Sequence, residues 1–188
     1  MSTANMRSAR LGFKALVDVG IIVLAHFRNP ARKYAAQLLM EALTLKRRIL
    51  IPVNTYLGAY VIMTKYLKLK RDRVAKALLK TLSLESPAFY GNLPKVVAEK
   101  ALASASELNI SSWDGYLIEL AKTLGINKIY TIDEELAEKV RDIEIENPIP
   151  REVMKEYHQY VREKCSSMRV RQENYSEDAD LHETVEPG

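Results

Sequence analysis

The sequence predicts an α/β domain built on a largely parallel sheet. Three observations carry that prediction. Short apolar runs alternate along the chain with longer segments whose apolar residues recur every three or four positions, the marks of buried strands and of helices. The connections between them are short, and strand–helix–strand units joined in this way build parallel sheets with helices packed on them. The clearest runs, Ala15-Leu16-Val17 and Ile49-Leu50-Ile51, are apolar at every position, as strands covered on both faces are.

Residues 1–12 are polar and expected to be mobile. Residues 13–18 read as the first strand, ending on Asp18. A short helix is expected over 21–27, with Pro30 breaking it or capping the next. Over 31–45, Ala35, Leu38, Leu39, Ala42 and Leu45 form a helical stripe. The strand at 49–51 is closed by Pro52. The next helix is expected over 54–66, with Leu57 and Val61 on one face and Tyr56, Tyr60 and Met63 beside it. Another follows over 71–82, with Val74, Leu78 and Leu82 one turn apart. Residues 83–92 hold Pro87 and Gly91 and read as a loop with a short strand at 88–90. A helix over 93–108 turns Val97, Ala101, Ala105 and Leu108 inward. The stretch 111–136 supplies a helix start with Asp114 in its first turn, a strand at 128–131, and a second helix start carrying Asp133. Ile143 and Ile145 flank Glu144 in a short edge strand, closed by Pro148 and Pro150. The domain therefore spans 13–150. A charged helix is expected over 151–173, and an acidic, disordered tail over 174–188.

Composition excludes several classes. With 47% hydrophobic and 28% charged residues among 188, the chain reads as an ordinary globular protein with enough apolar material for a core. One cysteine, Cys165, rules out an intramolecular disulfide and a cysteine-based metal cluster. Three scattered histidines argue against a histidine-rich zinc site. The longest apolar run, 15–25, is interrupted by Asp18 and is too short for a bilayer, which takes roughly 20 residues. The reading is a cytoplasmic protein with no membrane partner.

The net charge of +4 is unevenly spread. Residues 151–188 hold six Lys/Arg against nine Asp/Glu, a net −3, which leaves +7 on the first 150. The densest basic stretch holds Lys65, Lys68, Lys70, Arg71, Arg73, Lys76 and Lys80 against Asp72 alone. Such a stripe fits a polyanion, because phosphate contacts supply most non-specific affinity for nucleic acid; it fits a solvated helix face as well.

Three acids are the candidate chemistry. Open parallel sheets place their ligand crevice at the carboxyl ends of the strands. Asp18 ends the first strand, Asp133 lies two residues past the strand at 128–131, and Asp114 opens the helix that feeds that strand. Gathered at one edge they would raise each other's pKa, and a hard divalent cation would remove the conflict. Each also has an ordinary explanation. Ser111 and Asp114 have the spacing of a capping box, as do Thr131 and Glu134, and a first-turn acid is favoured by the helix dipole. Asp18 is harder to dismiss, because a charge inside Ala-Leu-Val-Asp-Val-Gly-Ile-Ile needs a partner. A buried structural Asp bonded to backbone amides stays open.

Leu16-Val17-Asp18 with the apolar segment behind it, then Ser112-Trp113-Asp114-Gly115-Tyr116-Leu117, Ala121-Lys122-Thr123-Leu124-Gly125 and Ile129-Tyr130-Thr131-Ile132-Asp133, resemble the PIN domain. That family includes the ribonuclease toxins of VapBC-type toxin–antitoxin pairs and many archaeal relatives. The resemblance covers roughly 13–147. It implies a three-layer α/β/α sandwich and an endoribonuclease dependent on Mg²⁺ or Mn²⁺. Asp18, Asp114 and Asp133 match acidic metal-site positions, and Thr131 matches the hydroxyl residue that accompanies the last acid. Lys65, Lys68, Lys70, Arg71 and Arg73 would hold RNA. A homodimer and an antitoxin-like partner are implied likewise. Two positions depart from the family pattern. Its usual Glu early in the helix after the second strand is missing, its place falling near Gly58 or Ala59, and Gly20 stands where a polar residue often follows the first Asp. Glu119 lies about 140° around its helix from Asp114 and cannot easily substitute. The alternative is a catalytically degenerate PIN-like protein that binds RNA or a protein partner.

Overall fold

The computed structural model describes residues 12–164. Most of the expected N-terminal segment, the end of the charged helix and the acidic tail lie outside the described residues. Five strands form one sheet: β1 (Ala15–Val17), β2 (Ile49–Pro52), β3 (Phe89–Tyr90), β4 (Lys128–Tyr130) and β5 (Glu144–Glu146). Every neighbouring pair is parallel, and the order is β3-β2-β1-β4-β5. The register sets Leu16 against Leu50 and Ile129, and Val17 against Tyr130. All five carboxyl ends therefore share one edge.

The helices are α1 (Val19–His26), α2 (Arg32–Leu43), α3 (Asn54–Val61, continued by a π-helical turn Ile62–Tyr66), α4 (Arg71–Leu82), α5 (Lys95–Leu108), α6 (Ser112–Leu124) and α7 (Glu134–Lys139). A final helix, α8, runs over 151–164. Right-handed crossovers put α1 to α4 on one face of the sheet and α5 to α7 on the other, which makes the three layers. Packing agrees: α1 lies against α2, α3 and α4, while α5 lies against α6. Ile21 to Ala25 of α1 are all buried, as a helix that is apolar all round must be. His26 fastens its end. The ring Nδ1 donates to the Ile22 carbonyl at 2.6 Å, and Nε2 accepts from the Thr81 hydroxyl of α4 at 2.8 Å. Burial holds His26 below the ordinary histidine pKa, which keeps it neutral.

The elements fall where the sequence puts them, with corrections at their ends. α1 starts at Val19 instead of 21 because Asp18 caps it. α2 stops at Leu43, and Leu45 takes a left-handed φ of 57°. α5 starts at Lys95 behind Pro94. The inward face of α3 is Tyr56, Ala59 and Met63, while Leu57 and Val61 are 70% and 48% exposed. On α8, Met154 and Tyr157 are buried, and the Tyr160 hydroxyl donates to the Arg28 carbonyl at 3.0 Å beyond the end of α1.

Gly115 sets the approach of α5 to α6. A Cβ built on it would lie 2.3 Å from the Ala101 carbonyl oxygen, a backbone atom that cannot swing aside. Gly115→Ala is expected to cost about 2–3 kcal/mol by overpacking. Gly125→Ala, at the left-handed end of α6 with open space around it, is expected to cost about 1 kcal/mol. Chemical denaturation of the two variants checks both the values and their order.

Candidate active site

The site begins with two backbone ladders that stop side by side. The Asp18 amide donates to the Tyr130 carbonyl at 2.9 Å, extending the pairing of β1 with β4 by one bond. Its carboxylate then turns back onto α1 and accepts the amides of Val19 and Gly20, the second at 3.3 Å. Thr131 stands in the matching place after β4, its amide donating to the Glu146 carbonyl at 3.1 Å. The Thr131 hydroxyl donates to Asp18 Oδ2 at 2.9 Å and accepts the Asp133 amide at 3.0 Å. Asp18 and Thr131 are 5% and 1% exposed. Chain order moves from β1 to β2 in one direction while β4 lies on the other side. These residues therefore occupy the topological switch point, where doubly wound sheets open a crevice.

The other two acids arrive on helix starts. α6 runs antiparallel to β4, so its first turn lies at the carboxyl edge. There Ser111 Oγ accepts the Asp114 amide at 3.2 Å and donates to Asp114 Oδ2 at 2.7 Å. Asp133 is the N-cap of α7, with Oδ1 accepting from the amides of Glu135 and Leu136 at 2.9 and 3.3 Å. The expected pairing of Thr131 with Glu134 as a capping box does not form. Asp133 does the capping, and the Thr131 hydroxyl is spent on Asp18.

Charge couples the three. Burial pushes Asp18 up to about 6, with the nearby Asp114 charge adding to the rise and the hydrogen bonds from Thr131, Gly20 and Val19 opposing it. Burial also pushes Asp114 up, helped by Asp133 and opposed by Ser111 and by the Lys139 charge. The acids thus form a chain from buried Asp18 through half-buried Asp114 to exposed Asp133. Among the described residues, no three His, Cys, Asp or Glu side chains are gathered tightly enough to hold a metal ion among them. The donor set is hard oxygen throughout. It fits a cation of the Mg²⁺ kind held by one or two carboxylates, with water or phosphate oxygens completing its shell; it does not fit an all-protein cage.

The position without an acid is filled by carbon. A Cβ on Gly58 would lie 3.1 Å from Val19 Cγ2 and 3.6 Å from Trp113 Cζ2. Position 58, on α3, thus points at the neighbours of Asp18 and Asp114, whereas Ala59 is fully buried in the core. Gly20 lies against Ile132. Glu119 is engaged elsewhere, accepting from Ser104 of α5 at 2.8 Å and pairing with Lys122 at 3.5 Å. Glu134 and Glu135 are exposed. Lys65, Lys68, Lys70, Arg71 and Arg73 are all exposed. α3 starts at the carboxyl edge and leads away from it, so Lys65 lies about 16 Å along the helix from Asn54. Reading the sequence misses two members of the edge, Lys139 and Trp113. Trp113 could have been suspected from its place beside Asp114; the approach of Lys139 has no sequence signal.

A parallel sheet with acids at the carboxyl ends of its central strands defines an α/β domain with its crevice on that edge. The sequence matches the PIN domain family over residues 15–142, which is 128 of 188 residues, and the chain belongs to that family, a nuclease family. Among solved structures it resembles VapC20 of Mycobacterium tuberculosis, a sarcin-ricin-loop-cleaving toxin. The identity is 14%, over 68% of this chain and 99% of that one, with a TM-score of 0.51. It also resembles PAE2754 of Pyrobaculum aerophilum, at 16% identity over 82% and 96%, TM-score 0.49. A toxin–antitoxin complex from Klebsiella pneumoniae matches at 20% identity over 72% and 98%, TM-score 0.46. At 14% identity the likeness to VapC20 is one of fold alone. Comparison with curated proteins finds no match.

Asp18 gives a pH prediction. Its folded pKa of about 6 lies above the ordinary 3.8, so the native state binds this proton more tightly than the unfolded chain does. The stabilisation is full below pH 3.8 and is lost as pH rises through 6. Ionisation costs about 3 kcal/mol at neutral pH. Asp18→Asn removes that cost but gives up an acceptor worth about 1 kcal/mol. Thermal melts should show the variant more stable than wild type by about 1–2 kcal/mol at pH 7.5 and no more stable at pH 4.

Proposed function

We propose that this PIN-domain protein is a divalent-cation-dependent endoribonuclease that hydrolyses RNA phosphodiesters at the edge formed by Asp18, Asp114 and Asp133. The observation that carries the reading is the buried Asp18 carboxyl, pinned by Thr131, Val19 and Gly20 beside a second acid. A structural cap of α1 needs only one acceptor, which an asparagine supplies with one hydrogen bond fewer but without the electrostatic cost of a buried carboxylate. Asp18 and Asp114 would hold Mg²⁺ or Mn²⁺, with Asp133 on its outer side. Bound there, such an ion supplies a polarised phosphoryl oxygen and a more acidic water. Thr131 fixes the Asp18 carboxylate in one orientation and ties it to the start of α7. Lys65, Lys68, Lys70, Arg71 and Arg73 would hold the RNA backbone as it leaves the edge. An antitoxin-like partner, a homodimer and a cytoplasmic setting complete the reading, on family membership. Among the described residues no helix is long and apolar enough to cross a membrane.

A second reading has its own observation. The packing of Val19 and Trp113 around Gly58 puts apolar surface where an acid would strengthen the cation site, as expected of a module that binds RNA or protein and has lost the chemistry. Calorimetric titration with Mn²⁺ separates the two. The nuclease reading expects millimolar or tighter binding that Asp114→Asn weakens at least tenfold, and Mg²⁺- or Mn²⁺-dependent cleavage of single-stranded RNA that Asp18→Asn abolishes. Failure of both leaves the binding module.

A further inference from the structure

We propose that Trp113 is a stacking platform for a nucleobase of the RNA, positioned beside the acidic edge; the inference rests on the nuclease reading above. The indole lies against Gly58, with Cζ2 and Cε2 at 3.6 and 3.7 Å from the point where a Gly58 Cβ would lie. It is nevertheless 39% exposed. An indole that rests partly on Gly58 and is partly open to water offers apolar aromatic surface of the kind that stacks on unpaired bases. Its place is defined from three directions. Asp114 follows it in the chain, Gly58 of α3 lies beneath it, and Val19, the neighbour of Asp18, packs on the same Gly58. A base on Trp113 would therefore set the adjoining phosphate near Asp114 and Asp18.

The missing acid acquires a physical account in this way. Any side chain at position 58 would have to share its space with Val19 and Trp113. The glycine admits the indole, so the edge exchanges a carboxylate for an aromatic contact to substrate. Base stacking of this kind is worth about 1–3 kcal/mol, and it recognises single strands, since a base inside a duplex has both faces covered by its stacked neighbours. The RNA cleaved would accordingly be unpaired at the base next to the scissile phosphate.

Trp113 is the only tryptophan in the chain, so the emission of the whole protein reports on it. The experiment titrates full-length protein with a short fluorescein-labelled single-stranded RNA in EDTA, following anisotropy and, with the unlabelled RNA, tryptophan emission. The expected result is saturable quenching that tracks binding. Trp113→Phe, which keeps a stacking ring, should bind within a few-fold of wild type. Trp113→Leu, which still covers Gly58, should bind about 5- to 100-fold more weakly, with an unchanged circular dichroism spectrum. A duplex of the same sequence should quench less. Binding with unaltered emission, equal binding by Trp113→Leu, or no RNA binding at all would overturn the inference. So would an emission change driven by protein concentration and not by RNA, which would place the indole in a protein interface. Cation-dependent cleavage lost in Asp18→Asn is measured separately and decides the nuclease reading on its own.

Discussion

The Thr131 hydroxyl is the contact on which the carboxyl edge depends. It donates to Asp18 and accepts from the Asp133 amide, so one oxygen joins the end of β1, the end of β4 and the cap of α7. The sheet itself fixes only the backbones of β1 and β4, through the pairing of Val17 with Tyr130 and the Asp18 amide bond to the Tyr130 carbonyl. Thr131 converts that backbone alignment into a fixed side-chain orientation. It also lowers the cost of a buried carboxyl that desolvation and Asp114 push toward the neutral form. Without such a donor, a charge at this depth would leave acceptors unpaired.

The third acid reaches the edge by a different route, through packing between helices. Gly115 lets α6 approach α5 until backbone nearly meets backbone at Ala101, and Ser104 and Glu119 add a hydrogen bond across the same interface. The first turn of α6 is thereby held at the height of the sheet edge, and Ser111 sets the Asp114 rotamer within it. Each acid is thus positioned by a local device: a ladder end and a helix start for Asp18, a serine cap for Asp114, and its own capping of α7 for Asp133. Their convergence is a property of topology.

That the three acids lie toward one sheet edge is legible in the sequence because it rests on periodicity and chain order, although among the described residues they are not drawn into one cluster. The apolar runs at Ala15 and Ile49, the capped start at Ser111 and the order of the acids define the parallel sheet and its edge. What the sequence hid depends on three-dimensional neighbours. Leu57 and Val61 share one face of α3 with Tyr56, Tyr60 and Met63 beside it, and spacing alone does not say which of these turns inward; Tyr56, Ala59 and Met63 are the buried ones. A helical stripe does not say which stripe faces the core when both are apolar. Thr131 was matched to Glu134 by spacing alone, whereas its hydroxyl had a better partner in Asp18, more than a hundred residues away. The apolar plug at Gly58 was invisible for the same reason, since Val19 and Trp113 lie far from it in the chain.

The central claim is that Asp18 is an acid held out of its ordinary ionisation range until a cation relieves it. Carbon-13 NMR titration of the Asp18 carboxyl, without and with saturating Mg²⁺, addresses it directly. The account predicts a midpoint near 6 without the ion and a clear fall when the ion is present. A midpoint near the ordinary 3.8, unmoved by Mg²⁺, would contradict it.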